Sequence, residues 1–469
     1  MDDELWRWDA VDLAQAIRAG TVSAREAVTA CLERLAAVNP AINAVTVVLA
    51  DAALAEADAA DRALKRGEAV GPLHGLPVTI KENVDHAGTA TTNGVVAFKD
   101  LVAKADSPAV ANWKRAGAIV IGRTNTPAFS LRWHTDNELH GATRNPWDRA
   151  RTPGGSSGGA AASLAVGITP LAHGTDYGGS IRYPAYCCGV AGIRPTLGRV
   201  PVFNATAPEE RTITAQIMAV QGPMARRVRD VRLGLGPMAV SDPRDPWWVP
   251  APPAGAPAPH PVKVALTVDP GGLGVDPAVA SAVRAAGEAL ARAGYAVEAV
   301  EPPSVEAIAE LWWALAWTET RHVMADTMRR LGGKDVVRAL DKVLSTTPEL
   351  DIVGYMKGLA ARAKHVRDWL LFLERYPLVV GPVSTEPPFE LGFDTDDGGD
   401  PRRLMRAQRL LIAVNLLGLP SAAVPTGLAG GVPIGVQVIG TRYREDLCLD
   451  AAEVIEAHGG LPTPIDPSR

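Results

Sequence analysis

The sequence contains few cysteines and no long apolar run. Its four cysteines, Cys31, Cys187, Cys188 and Cys448, are too scattered for a disulfide framework, and no Cys-x-x-Cys pair indicates a zinc ribbon or a thioredoxin-like motif. No apolar stretch reaches the roughly 18 residues that a membrane span needs. The acidic segment of residues 1–9 lacks the basic start and apolar run of a signal peptide. We therefore predict a cytoplasmic protein with no membrane partner.

An excess of one charge is also absent. Lysine and arginine number 47, and aspartate and glutamate 52, which gives a formal net charge of −5 for 469 residues. Without a basic excess to neutralise phosphates, the chain is not expected to bind nucleic acid. No histidine or cysteine cluster has metal-ligand spacing, and His-Glu-x-x-His does not occur. We therefore expect neither a metal nor an organic cofactor.

The first seventy residues have helix patterns. Asp9 is placed to cap a helix that runs to Arg18, with Gly20 just beyond its end. Ser23-Ala-Arg-Glu26 matches a capping box ahead of apolar residues at helical spacing. Residues 50–64 are alanine-rich and strongly helix-forming. The chain is therefore predicted to begin with helices.

Strand patterns begin at residue 75 and then alternate with helix patterns. Residues 75–80 and 118–121 are short apolar runs rich in β-branched residues, as in buried strands. Further strands are predicted at residues 262–266, 378–380, 415–425 and 434–440. Further helices are predicted at residues 160–166, 279–293, 305–330 and 351–374. This alternation predicts an α/β architecture.

A glycine- and serine-rich loop is the first candidate for chemistry. Residues 154–158 formally fit the Gly-x-Ser-x-Gly nucleophile elbow of α/β-hydrolases. The residues before it make a poor strand, however, and His173, His322 and His365 have no distinctive setting as a catalytic base. A phosphate-binding loop is disfavoured because no Lys-Ser/Thr follows the glycines. Alone, the segment is typical of a flexible loop.

A second glycine-rich motif, Gly174-Thr-Asp-Tyr-Gly-Gly-Ser-Ile-Arg182, changes that interpretation. Consecutive backbone amides at residues 177–180 can turn toward one point, which is what an oxyanion hole requires. Ser180 ends this run, so its hydroxyl would lie beside the donors that stabilise its own adduct. Lys81 is a candidate base because it directly follows a buried-strand pattern, where desolvation lowers the pKa of an amine.

Together these segments resemble the amidase signature family. Lys81, Gly154-Gly-Ser-Ser-Gly-Gly159 and the motif of residues 174–182 occur in the order and with the spacing of that family. Further similar segments are residues 145–148, 222–230, 415–420 and 433–440. The family's fold is a large mixed β-sheet covered on both faces by helices. The resemblance therefore implies an α/β fold of one large domain.

The resemblance also bears on domain organisation. A proline-rich stretch, residues 246–261, interrupts the chain, but similar segments lie on both sides of it. We therefore interpret it as a surface connection and predict one amidase signature domain over residues 1–469. Its parts would be a helical region at about 1–70, a catalytic core at about 71–230 and a C-terminal part of that core at about 262–469.

The resemblance implies a role for each motif residue. Ser180 would be the nucleophile, Lys81 the final base, and Ser156 the bridging residue that follows a cis peptide bond with Gly155. A proton would pass from Ser180 through Ser156 to Lys81 and return to the leaving amine, which departs poorly unless it is protonated.

Other motif residues are expected to support this relay. The backbone amides of Tyr177, Gly178, Gly179 and Ser180 would hold the oxyanion, and Ser157 would support the relay by hydrogen bonding. Asp176 and Arg182 are expected to fix the loop, with a purely structural ion pair as an equal alternative.

The substrate pocket is less defined by sequence. Tyr177 is bulkier than the residue usual at its position, so it would narrow the pocket or line it with an aromatic ring. Phe129, Trp133 and His134 lie in a segment that often contacts substrate in the family, with core packing as the alternative. Trp312, Trp313 and Trp317 have helical spacing and are more typical of core, and Gln437 is a further pocket or core candidate.

The predicted function is hydrolysis of the C–N bond of a small-molecule amide through an acyl-enzyme on Ser180. Esters, anilides and carbamates are chemically adjacent substrates because the same oxyanion geometry serves them. One alternative is the glutaminase-type subunit of a transfer-RNA amidotransferase, which would need a partner subunit. Others are a non-catalytic binding protein on the same scaffold and, more distantly, an α/β-hydrolase. The sequence predicts no particular oligomeric state.

Overall fold

Eleven strands form one mixed sheet in the computed structural model, which describes residues 4–468. The strands are Val45–Val48 (β1), Pro77–Lys81 (β2), Ile119–Thr124 (β3), Leu171–Asp176 (β4), Ala191–Arg194 (β5), Val220–Ala225 (β6), Lys263–Leu266 (β7), Ala296–Ala299 (β8), Leu378–Pro382 (β9), Ser421–Ala429 (β10) and Val432–Gly440 (β11). Their order is β1-β3-β2-β4-β6-β5-β10-β11-β9-β7-β8. The pairs of β2 with β3 and β4, and of β7 with β8 and β9, are parallel; the other pairs are antiparallel.

Helices flank this sheet. They are Ala10–Ala19 (α1), Ala24–Ile42 (α2), Ala50–Lys65 (α3), Pro108–Arg115 (α4), Gly158–Ala165 (α5), Arg182–Cys188 (α6), Ile213–Met218 (α7), Val228–Met238 (α8), Pro277–Arg292 (α9), Val305–Glu319 (α10), Ala325–Leu331 (α11), Gly333–Thr346 (α12), Ile352–Arg375 (α13), Pro401–Ala407 (α14), Arg409–Leu417 (α15) and Glu445–Gly459 (α16). α3 packs on β3, α8 on β6, and α16 on β10, while α10, α13 and α15 pack together. The predicted α/β fold with a mixed, helix-covered sheet is confirmed. No helix within residues 4–468 is long and apolar enough to cross a membrane.

Local sequence signals account for several helix ends. The capping box at the start of α2 is confirmed, because Ser23 Oγ accepts from the Glu26 amide and the Glu26 carboxylate accepts from the Ser23 amide. α1 starts after Asp9, but the Asp9 side chain does not make the predicted capping hydrogen bond. The helix ends at Ala19, and the next residue, Gly20, has a φ of 71° in the left-handed region that glycine tolerates. α9 begins at Pro277, a first-turn position where the missing amide hydrogen costs nothing.

Three predictions were wrong in detail. The first seventy residues are not all helical, because Val45–Val48 pairs with β3 at the sheet edge. Residues 415–417 end helix α15, and the strand predicted there starts only at Ser421. The helix predicted over residues 305–330 is interrupted by a π-helical turn, Thr320–Met324. The apolar run around Leu416 is compatible with a buried helix as well as with a buried strand. A run without polar residues has no hydrophobic periodicity that would distinguish the two.

The sheet also connects the two sides of the proline-rich stretch. β5 precedes residues 246–261, β10 follows them, and the two strands pair directly. The approximate limits of the helical region and of the catalytic core stay a prediction. For the site, the important feature is that β2 and β4 are parallel neighbours, so their carboxyl ends, Lys81 and Asp176, lie at one edge of the sheet.

Candidate active site

Lys81 is the last residue of β2 and is fully buried. Its Nζ lies 2.7 Å from Ser156 Oγ and 2.9 Å from Thr175 Oγ1. Burial lowers the pKa of Lys81 well below its usual range, although the carboxylates of Asp176 and Glu82 oppose that shift. A lowered pKa favours the neutral amine, which is the form that accepts a proton as a general base.

The glycine- and serine-rich loop, residues 154–159, brings Ser156 to Lys81. The predicted cis peptide bond between Gly155 and Ser156 is confirmed. The next residue, Ser157, ties this loop to the second motif: its amide donates to the Ser180 carbonyl at 3.2 Å, and its hydroxyl accepts from the Thr175 amide at 3.3 Å. These two hydrogen bonds of Ser157, with Ser180 and with Thr175, join the two glycine-rich motifs.

Ser180 lies between β4 and α6 and lines the same cavity as Ser156. It is 8% exposed, whereas Ser156 is 1% exposed, so Ser180 is the more accessible serine. Within residues 4–468 the two hydroxyls form no direct hydrogen bond with each other. Catalytic hydrogen bonds are often long before substrate binds, and this geometry is compatible with a relay that closes around an amide.

Asp176 and Arg182 are at the centre of a buried polar network behind Ser180. The Arg182 guanidinium donates to the Asp176 carboxylate at 3.1 and 3.2 Å and to Asn415 Oδ1 at 2.7 Å. Arg182 also donates to Gln437 Oε1 at 2.9 Å, so Gln437 belongs to this network. Burial raises the pKa of Asp176, but the guanidinium groups of Arg182 and Arg194 outweigh burial and hold it well below its usual range. The carboxylate is therefore a permanent anchor for the loop.

The Gly-Gly loop, residues 177–180, has four backbone amides that were predicted as oxyanion donors. The Gly179 amide donates to Asp176 Oδ1 at 2.9 Å, so this donor is used inside the protein. The other three amides have no acceptor among the described residues. The oxyanion donors that this geometry leaves available are therefore those of Tyr177, Gly178 and Ser180.

The cavity beside these serines has a volume of about 360 Å³ and one aromatic side. We call this side the aromatic wall; its members are Trp133, Tyr177, Trp312, Trp313 and Trp317. The rings form a connected series, with centroid distances of 5.4 Å from Tyr177 to Trp312, 6.4 Å from Trp312 to Trp313 and 5.6 Å from Trp313 to Trp317. Trp133 stacks on Trp313 at 6.2 Å. Such a wall binds flat apolar groups.

The structure divides the predicted pocket residues. Phe129, Trp133 and Tyr177 line the cavity, whereas His134 does not. His134 is fully buried; its Nε2 lies 3.0 Å from the Glu390 carbonyl and its Nδ1 3.4 Å from Asp394. Of the two alternatives that the sequence left open for His134, its surroundings favour core packing, because the imidazole is buried between the Glu390 carbonyl and Asp394.

Two polar residues near Lys81 were missed by the sequence analysis. Thr175 Oγ1 accepts from Lys81 and, at 3.1 Å, from Asn83 Nδ2. Asn83 also donates to Ser130 Oγ at 3.1 Å, which links Lys81 to the segment at the cavity rim. Their nearness to the motif residues Asp176 and Lys81 in the chain was the available signal, but sequence spacing alone does not show which neighbours face the amine.

The nucleophile-elbow alternative has no structural support. The residues before the Gly-x-Ser-x-Gly sequence form only an isolated bridge at Arg151 instead of a strand. His173 is buried in β4, and its Nε2 lies 2.8 Å from Gln221 Oε1. In the part of the chain that the structure describes, no group of three or more metal-ligating side chains is arranged to hold an ion; the absence of a metal requirement stays a prediction.

The lowered pKa of Lys81 predicts the pH dependence of the reaction. Because the neutral amine is the base, kcat/KM should rise as pH increases through the pKa of Lys81 and level off above it, with the midpoint below the usual value of 10.5. A pH–rate profile measures this midpoint, which belongs to the coupled relay. His173, whose pKa burial lowers to about 3, is not the source of a midpoint near neutrality. A profile that a single histidine substitution abolishes would contradict the assignment to Lys81.

Comparison with known proteins agrees with this geometry. The Amidase family model matches residues 26–449. An indoleacetamide hydrolase of Bradyrhizobium diazoefficiens is 49% identical over 97% of this chain and 87% of its own length. One subunit of the glutamyl-tRNA(Gln) amidotransferase of Moorella thermoacetica is 33% identical over 97% of this chain and 97% of its own. A crystal structure of a bacterial aryl acylamidase of the amidase signature family has a TM-score of 0.83 at 28% identity, covering 98% of this chain and 97% of that one. The chain therefore belongs to the amidase signature family and is an amidase, a hydrolase of amide C–N bonds.

Proposed function

We propose that this amidase hydrolyses primary amides of aryl-substituted acetic acids, such as indoleacetamide, to the carboxylate and ammonia. The observation that carries the proposal is the aromatic wall beside Ser180. An arylacetamide places its ring one methylene away from the carbonyl carbon, so its ring can contact the wall while the carbonyl reaches the serine. The 49% identity to an indoleacetamide hydrolase supports the same substrate class.

The first half of the reaction forms an acyl-enzyme. Ser180 Oγ attacks the amide carbonyl carbon, and its proton passes to Ser156 while Ser156 gives its own proton to Lys81. The oxyanion accepts hydrogen bonds from available amides of the Gly-Gly loop. The C–N bond then breaks as Lys81 returns a proton through Ser156 to the nitrogen, and ammonia leaves. The 2.7 Å distance between Lys81 Nζ and Ser156 Oγ allows proton transfer between these two groups and supports the relay.

The second half regenerates the enzyme. Water attacks the acyl carbon, and as the new C–O bond forms its proton passes to Ser156 while Ser156 gives its own proton to Lys81. The ester bond to Ser180 breaks when that proton returns to its oxygen. The carboxylic acid product then ionises and leaves. The two halves of the reaction balance with the amide and water as the reactants, and they require no redox step.

The cavity disfavours glutamine, the substrate of the alternative function. A free amino acid carries an ammonium group that needs an unpaired carboxylate in the site. The two acidic residues on the cavity wall are Asp176 and Asp394. The first is held by Arg182, and both oxygens of the second accept from Arg132 at 2.6 and 2.7 Å. An aromatic, uncharged acyl group fits the available surface better.

A substrate panel tests this proposal. The value of kcat/KM for indoleacetamide should exceed that for acetamide by on the order of a hundredfold or more, because burying an aryl ring adds a few kcal/mol of binding. Ammonia release measures both reactions, with anilides, esters and glutamine in the same panel. Trp317→Ala should reduce the ratio of the two kcat/KM values by removing part of the wall. A preference for glutamine or for short aliphatic amides would contradict the proposal.

We also propose a cytoplasmic location. The four cysteines are all free and buried, as expected for a protein in a reducing compartment.

A further inference from the structure

Two tryptophans of the aromatic wall hydrogen-bond the backbone of the Gly-Gly loop. Trp312 Nε1 donates to the Tyr177 carbonyl at 3.2 Å, and Trp133 Nε1 donates to the Gly178 carbonyl at 2.7 Å. These are consecutive carbonyls of the loop that also carries the available oxyanion amides. The remaining members of the wall make no such bond to the loop: Trp313 Nε1 donates to Thr347 Oγ1, the Tyr177 hydroxyl bonds Thr214, and Trp317 Nε1 has no partner among the described residues.

The two hydrogen bonds fix the orientation of the loop amides. In a trans peptide the carbonyl of one residue and the amide of the next are held antiparallel in one plane. The bond from Trp312 to the Tyr177 carbonyl therefore fixes the direction of the Gly178 amide. The bond from Trp133 to the Gly178 carbonyl does the same for the next peptide plane, whose amide donates to Asp176.

The glycines make this external restraint necessary. At Gly178 a Cβ atom would approach Trp312 Cζ2 to 2.8 Å, so only glycine allows the indole to pack this closely. Gly179 has a φ of 95°, in the region that residues with side chains rarely adopt. Two adjacent glycines have wide backbone freedom, and an oxyanion hole acts only when its donors are already oriented. The indole hydrogen bonds supply part of that orientation.

The same indoles contact the space that an aryl group would fill. Trp312 lies 5.4 Å from the ring of Tyr177, and Trp133 stacks on Trp313 at 6.2 Å, all on the cavity wall. A substrate ring on this wall therefore touches the side chains that hold the oxyanion amides. An acyl group without a ring would not make this contact.

We infer that Trp312 and Trp133 are positioning residues that couple binding of an aryl acyl group to the chemical step. Trp312 orients the Gly178 oxyanion amide through its indole N–H, and Trp133 acts indirectly by fixing the next peptide plane, whose Gly179 amide holds the loop on Asp176. The inference rests on the proposed role of Ser180 and on the proposed arylacetamide substrate. It predicts that the N–H groups affect kcat, whereas ring size affects mainly KM.

The test removes the N–H groups while keeping aromatic side chains. Trp312→Phe and Trp133→Phe should each lower kcat for indoleacetamide by about tenfold to thirtyfold, which is less than the loss of an oxyanion donor itself. The double variant should lose less than the product of the two, because the two bonds act on adjacent peptides. A second variant carries 3-benzothienylalanine at position 312, which replaces the indole N–H by sulfur at nearly constant ring size. It should lower kcat to the same extent as Trp312→Phe.

Inhibitor affinities separate orientation of the loop from loss of the wall. An arylmethylboronic acid forms a tetrahedral adduct with Ser180 and uses the oxyanion amides, whereas indole fills the wall and has no oxygen. The ratio of the two affinities should fall about tenfold in Trp312→Phe and Trp133→Phe. Trp313→Phe, whose N–H bonds Thr347, should weaken both ligands together and raise KM. Trp369→Phe loses an indole bond to the Pro303 carbonyl remote from the cavity and controls for stability.

The outcomes are distinct. One outcome contradicts the inference: Trp312→Phe and Trp133→Phe raise KM as Trp313→Phe does, while kcat and the ratio of inhibitor affinities stay within about twofold of the unsubstituted protein. The two indoles would then act only as part of the cavity wall. The boronic acid ratio does not require turnover of an arylacetamide. It therefore still decides the inference if the panel above shows another substrate, and failure of the proposed function remains distinguishable.

Discussion

Substitution of Ser180 by alanine is expected to remove nearly all amide hydrolysis, with kcat falling on the order of 10⁵-fold or more. The physical reason is that Ser180 is the accessible hydroxyl on the Gly-Gly loop, next to the backbone amides that would stabilise its adduct. Ser156 is 1% exposed and contacts Lys81, so it is placed to transfer a proton and not to attack a carbonyl. Ammonia release measures the loss of turnover, and a fluorophosphonate should label Ser180 alone.

Ser163→Ala is the matched control for this substitution. Ser163 is fully buried, and its hydroxyl donates to the Ala160 carbonyl within α5, which closely follows Ser156 in the chain. It should retain activity and labelling. Mass spectrometry of the labelled peptide shows which serine carries the adduct. The assignment of the nucleophile would be overturned if the adduct were on Ser156 and if Ser180→Ala were labelled as fast as the unsubstituted protein.

The motif residues could be predicted because their chemistry is local in the chain. A lysine at the end of a buried strand and a serine after two glycines each have a physical consequence that their neighbours determine. The parallel pairing of β2 with β4 then brings the two ends together, as the α/β pattern implies. The capping box at Ser23 is local in the same sense. Short-range signals thus account for Ser180 and Lys81 as candidates and for several helix ends, whereas the bridging role of Ser156 followed only from the resemblance to the amidase signature family.

The aromatic wall could not be predicted in this way. Trp313 and Trp133 are separated by 180 residues and stack on each other only in the folded protein. Helical spacing favoured a core role for Trp312, Trp313 and Trp317, and these residues are indeed buried, at 1–8% exposed. They also line a cavity, because a side chain can pack on one face and border an empty volume on the other. No periodicity distinguishes those two environments.

Two groups at the site have surroundings that the sequence did not indicate. His134 was grouped with Trp133 by position in the chain, but its imidazole lies beside Glu390 and Asp394, outside the cavity. The Gly179 amide was counted with its neighbours as an oxyanion donor, yet the carboxylate of Asp176 accepts it. In each case the direction of one group depends on a partner that sequence does not identify.

Substitution of Lys81 by methionine or of Ser156 by alanine is expected to lower kcat by about 10³-fold to 10⁵-fold each, and the double variant should be little worse than either. The two groups act as one relay through their 2.7 Å contact, so removal of one makes the other ineffective. A fluorophosphonate should still label Ser180 in Ser156→Ala, but slowly. If the losses multiplied instead, the two residues would act in separate steps, and the relay would be refuted.

Stability measurements complete this prediction, because a buried lysine is costly to the fold. Its pKa in the folded chain lies below the usual 10.5, so between these two values the unfolded chain binds a proton that the folded chain does not. The free energy of unfolding therefore decreases as pH falls from 10.5 toward the lower pKa. Methionine carries no titratable group, so Lys81→Met does not have this loss of stability. Lys81→Met should consequently have a Tm at neutral pH equal to or above that of the unsubstituted protein, and the difference should vanish near the usual pKa of lysine. If Lys81→Met is both inactive and unfolded, misfolding explains the loss of rate, and this account of Lys81 is contradicted. A variant that is inactive but more stable is the result expected for a base that is buried for catalysis at a cost to stability.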